Sequence, residues 1–91
     1  MANPDQTNKI SMASIGERLR EAREKKALTI EQAQKQTRIH STVLAALEDG
    51  RCDNILAPNY VKSFLREYSN YLGLNSKELL NAYTAIHPEP N

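Results

Sequence analysis

Thr29 to Gly50 reads TIEQAQKQTRIHSTVLAALEDG, and this stretch decides the fold. Thr29 followed three residues later by Gln32 is a capping-box start, in which each side chain satisfies an orphan backbone N–H. Ile30 and Ala33 then share one helical face, and the helix runs to about Gln36. Thr37 to His40 leaves a tight turn. From Ser41 to Asp49 a second helix carries Val43, Leu44 and Leu47 inward, and Gly50 supplies a left-handed end. Short helix, tight turn, short helix, with small Ala33 where the two must approach, is a helix-turn-helix pattern. Such a unit buries Ala33, Ile39, Val43 and Leu47, and Thr37 stands where many of these motifs place Gly.

One helix precedes this unit and two follow it. The first begins at Ser14, which has capping-box spacing with Glu17, and buries Ile15, Leu19 and Ala22. Lys25 and Lys26 close it, where cations favour the helix dipole. The charges between Arg18 and Lys26 are read as a solvated face paired along the helix itself. Arg51 to Ala57 is a connector. The fourth helix covers Pro58 to Leu72, with Pro in the first turn and Gly73 just past the end. The fifth runs from Ser76 to Ile86, with Asn75 as cap, Glu78 reaching back to it, and Leu74 and Leu79 spaced as a hydrophobic staple. No apolar run alternates, so no strand is expected. Residues 1–13 read as a flexible polar tail, 14–86 as one domain, and 87–91 as a linker or tail whose prolines cannot continue a helix.

The fourth helix carries more apolar surface than one core face needs. At about 100° per residue, Val61, Leu65, Tyr68 and Leu72 form one stripe. Tyr60, Phe64 and Tyr71 form a second, roughly 80–90° around, with Lys62 and Arg66 on the far side. Either the core is wide enough to take both stripes, or the second is a partly exposed contact surface. The chain has five aromatic residues, and three of them on that stripe favour the contact surface.

Composition narrows the function. Ninety-one residues make one domain with a small core. The formal net charge is only +1, so nothing in the balance demands nucleic acid or an anionic membrane. The single Cys52 excludes an intramolecular disulfide and fits a reducing compartment. No stretch approaches the roughly 18 apolar residues of a membrane span, and no secretory signal pattern opens the chain. The expectation is a soluble, intracellular domain, with a membrane segment beyond Asn91 left open.

Three segments carry a more specific likeness: Ile15-Gly16-Glu17-Arg18-Leu19-Arg20-Glu21-Ala22-Arg23-Glu24, Leu28 to Ala33, and Leu44-Ala45-Ala46-Leu47-Glu48-Asp49-Gly50. With the run YVKSFLREYSNYLGL, from Tyr60 to Leu74, they resemble the N-terminal helix-turn-helix domain of the bacterial cell-shape RodZ family. The resemblance covers about residues 14–86. It implies an all-α, lambda-repressor-like fold of five helices with a helix-turn-helix core. It also implies binding to the actin-like filament protein MreB, through an aromatic pair at the start of the fourth helix that falls on Tyr60 and Phe64. Glu67 and Tyr71 lie nearest that pair. In the family a membrane span and an extracytoplasmic domain follow; neither a membrane span nor a basic juxtamembrane run is read within these 91 residues. It also has Ala27 where a Gly often ends the first helix.

The rival reading is a DNA-binding regulator. A reading helix needs side chains that reach base edges, with basic groups on the flanking phosphates. The outward positions of the third helix are Ser41, Thr42, Ala45, Ala46 and Glu48, with Arg38 able to touch a backbone. That set, Arg38, Ser41, Thr42 and Ala45, contains no bidentate base reader on the helix, and Glu48 with Asp49 repels phosphate. Weak, salt-dependent association is the most it supports. No catalytic or metal site is expected: His40 and His87 are far apart without a third group to orient them, and Cys52 has no paired Cys or nearby His. No cofactor motif is present, so no cofactor is expected.

Overall fold

The apolar stripes meet in one core built by five helices, which a computed structural model describes over residues 11–87. They are α1 (Met12–Lys25), α2 (Ile30–Thr37), α3 (Ser41–Asp49), α4 (Pro58–Tyr71) and α5 (Ser76–Ile86), with a 3-10 turn over Cys52–Asn54. Among the described residues there is no strand. α1 packs chiefly on α3, α4 on α5, α2 on α3 and α4, and α5 closes back onto α1. Leu19, Ala33, Leu44, Leu47, Val61, Leu65, Tyr68, Leu79 and Tyr83 are wholly buried. Parts of the two expected tails, residues 1–10 and 88–91, lie outside the described residues.

Two helix starts are capped by the side chains that their sequence signals name. Thr29 Oγ1 accepts from the Gln32 N–H at 3.0 Å while Gln32 Oε1 accepts from the Thr29 N–H at 2.8 Å. Asn75 Oδ1 accepts from the Glu78 N–H at 3.1 Å. Gly50 and Gly73 take positive φ after α3 and α4. The start of α1 differs from expectation. Its cap is Ser11 rather than Ser14, and the reciprocal bonds run between Ser11 and Ser14 at 3.0 and 3.1 Å. The helix starts two residues early because Met12 enters the core, so residues 11–13 belong to the domain and not to the tail.

The turns hold two non-glycine residues in the left-handed region, Ala27 at φ 55° and Arg38 at φ 65°. Thus Ala27 adopts the conformation that a Gly would take there. In the helix-turn-helix the strained position is Arg38, not Thr37. Thr37 instead donates its hydroxyl to the Ala33 carbonyl at 2.7 Å and accepts from the Ile39 N–H at 3.1 Å, which stiffens the turn.

Candidate protein-docking surface

The orientation of α4 is set by its first stripe. Val61, Leu65, Tyr68 and Leu72 are all buried. A polar lock adds to this. The Tyr68 hydroxyl donates to Glu48 Oε2 at 2.5 Å, and Glu48 in turn takes Arg23 Nε at 2.7 Å and Arg23 Nη2 at 3.0 Å. Arg23 also donates to the Leu28 carbonyl at 2.8 Å. One carboxylate on α3 therefore ties α1 and α4 together, with its charge and lone pairs satisfied as burial demands. The Glu48 hydrogen bond raises the Arg23 pKa, against the opposing effect of burial. Burial first, and then the bond to Glu48, pushes the Tyr68 hydroxyl pKa well up.

With that stripe inside, the second stripe is left at the surface edge. Tyr60 is 57% exposed. Phe64 is half-buried and packs against the core. Tyr71 is also half-buried; its ring stacks on Tyr68 with centroids 6.4 Å apart, and its hydroxyl is buried without a hydrogen-bond partner. Glu67 is exposed, Arg66 is exposed and Lys62 half-buried. The stripe is thus open at Tyr60 and partly drawn into the core at Phe64 and Tyr71.

The face considered for DNA changes more. Ala46 and Glu48 are buried, not outward, because α1, α2 and the 3-10 turn all pack on α3 and leave it little free surface. Val43, expected to be inaccessible, is partly exposed. What α3 shows to solvent is Thr42 and Asp49, with Ser41 and Ala45 half-buried, and Arg38 exposed before it. Asp49 pairs with Arg20 and, at 3.0 Å, with Arg51, so those cations already have a carboxylate partner. The Arg51 bond leads in lowering the Asp49 pKa. His40 is a capping residue, its Nδ1 accepting from the Thr42 N–H at 3.0 Å. This geometry does not favour base readout.

Among the described residues, the arginines of α1 pair with carboxylates of other helices. Arg18 reaches Glu78 of α5 at 2.7 Å, so Glu78 does not turn back on its cap. In the connector, Cys52 is wholly buried, and burial, with neighbouring Asp53, pushes its thiol pKa up to about 11. His87 does have an orienting neighbour. Its Nε2 lies 2.7 Å from Asp53 Oδ2, off the line of a hydrogen bond, while Asp53 Oδ1 accepts from the Tyr83 hydroxyl at 2.7 Å. These contacts clamp the connector to α5.

Residues 18–79 match the family described as helix-turn-helix domain. The cytoskeleton protein RodZ of Streptococcus pneumoniae (strain ATCC BAA-255 / R6) is 37% identical over 70 residues, covering 77% of this chain and 25% of that protein. A solved structure described as bacterial actin MreB assembling in complex with cell shape protein RodZ contains a chain that superposes with a TM-score of 0.77. Identity there is 31%, over 81% of this chain and 90% of that one. The chain belongs to the RodZ family of helix-turn-helix domains. It spans about a quarter of the length of the curated RodZ relative. These relatives are named as a cytoskeleton protein and a cell shape protein. Among the described residues of this RodZ-type domain, no helix is long and apolar enough to cross a membrane.

Two features of the RodZ-type domain escaped sequence reasoning. The Arg23–Glu48–Tyr68 lock joins residues that no local spacing relates. Ile55, 47% exposed in the connector, carries no helical periodicity that would single it out.

Proposed function

We propose that this chain is the domain through which a cell-shape scaffold grips an actin-like filament protein of the MreB type, using the exposed side of α4. The observation that carries this reading is the superposition on a chain from an MreB–RodZ assembly, at a TM-score of 0.77. It is supported by Tyr60, a large aromatic left 57% exposed on a rigid, core-anchored helix. Such a side chain offers much apolar area with little rotamer entropy to lose, the usual make-up of an interface anchor. Tyr60 inserts first, Phe64 lies one turn behind it, and Glu67 and Tyr71 form the neighbouring rim. On this reading the domain works in the cytoplasm, at the inner face of the membrane where a membrane span follows it.

Tyr60→Ala is the test, read by cosedimentation with purified MreB and by melting temperature. A hot-spot truncation of roughly 2 kcal/mol or more weakens binding some thirtyfold. Because Tyr60 is exposed, the melting temperature should stay near the original. Phe64→Ala should weaken binding as well but also lower stability, since Phe64 packs on the core. Normal affinity in a folded Tyr60→Ala variant would place the interface elsewhere.

A further inference from the structure

Among the described residues only two large apolar side chains are exposed, Ile55 at 47% and Tyr60 at 57%. A single exposed aliphatic needs no explanation, but these two stand five positions apart at the entry to one helix. Five residues of chain span at most roughly 18 Å. A standard interface covers about 800 Å² per partner, a patch roughly 30 Å across, so the separation of Ile55 from Tyr60 is about one patch radius at most.

The backbone under Ile55 is anchored on both sides. The Ile55 and Leu56 N–H groups both donate to the Cys52 carbonyl, at 3.1 and 2.9 Å, and Cys52 is wholly buried. Leu56 packs partly against the core. Asp53, between them, is held by Tyr83 and His87 of the α5 end. The N–H groups of Tyr60 and Val61 then both donate to the Ala57 carbonyl at 3.0 Å, which fixes the first turn of α4. An apolar side chain held outward on a backbone ordered before binding loses little further freedom when a partner covers it.

We propose that Ile55 is a second anchor for the same actin-like filament protein, so that the docking surface runs from the connector onto α4. This rests on the reading of α4 given above. The test uses the 91-residue chain with Ile55→Ser, Ile55→Leu and Tyr60→Ala, measuring affinity for purified MreB and melting temperature. Ile55→Ser should weaken binding about tenfold without lowering the melting temperature, and Ile55→Leu should bind nearly as the original. Normal binding by Ile55→Ser beside weakened binding by Tyr60→Ala overturns the Ile55 anchor and leaves the α4 reading standing. Normal binding by both removes the two together. A measurement on the unaltered chain is independent of variant folding: the Ile55 methyl resonance should shift or broaden as MreB is added. An unchanged resonance at saturation overturns the proposal.

Discussion

Gly16 shows how a single missing carbon sets the distance between two helices. It lies in mid-α1, where Gly is normally unfavourable by about 1 kcal/mol relative to Ala. A Cβ placed there would run into the Glu48 carbonyl oxygen and come within 2.5 Å of the Leu47 carbonyl oxygen and 2.7 Å of the Glu48 carbonyl carbon. Those atoms are backbone and cannot swing aside. Gly16→Ala should therefore lose roughly 1–3 kcal/mol to overpacking despite its better helix propensity, read as a lower urea midpoint. A neutral or stabilised variant would show that α1 and α3 can separate freely. Gly50 meets a similar limit, since a Cβ there would lie 3.0 Å from the Ala13 backbone in addition to its positive φ of 75°.

At the scale of elements, α3 behaves as a central post and not as a surface reader. Its Glu48 is only 4% exposed and holds α1 through Arg23 and α4 through Tyr68. Removing one member of a buried charged set leaves its partner uncompensated, which costs more than the set itself contributes. Glu48→Ala should accordingly cost about 3–5 kcal/mol. Tyr68→Phe, which removes one hydrogen bond to a charge, should cost about 1.5–3 kcal/mol. Urea denaturation of both variants checks the order, and a smaller loss in Glu48→Ala than in Tyr68→Phe would mean that Arg23 finds solvent without penalty. Because α4 also carries Tyr60, this lock fixes where the proposed docking helix stands.

For the whole molecule, three buried acids give the fold a characteristic pH response. Burial leads in raising the pKa values of the Cys52 thiol, to about 11, and of the Tyr68 and Tyr83 hydroxyls. Each stays protonated in the folded state at a pH where the unfolded chain has already released its proton. Their contribution is whole below the unfolded values and is lost as pH rises towards the folded ones, at about 1.4 kcal/mol per pH unit and group. Stability should thus hold from neutral pH to about 8.5 and fall beyond it, the reference thiol value being 9.0. Urea midpoints at neutral pH, at about 9 and at about 10.5 read this, and Cys52→Ala should flatten the earlier part of the fall. An equal fall in Cys52→Ala would assign the whole response to the tyrosines.

The chain by itself determined the helices, because caps and periodicity are local. Thr29 with Gln32, Asn75 with Glu78, and glycines at positions 50 and 73 act within a turn of their own residues. The core stripe of α4 was legible for the same reason, since one packed face repeats at helical spacing. Tertiary structure decided what depends on how many neighbours an element has. The helical wheel assigned Glu48 and Ala46 to solvent because it presumes one buried face, whereas α3 is covered by α1, α2 and the 3-10 turn. It also could not rank Tyr60, Phe64 and Tyr71, whose exposure follows from where α4 leaves the core. Ion pairs such as Arg18–Glu78 and Arg23–Glu48 join distant parts of the chain, so only the packed fold brings their charges within reach.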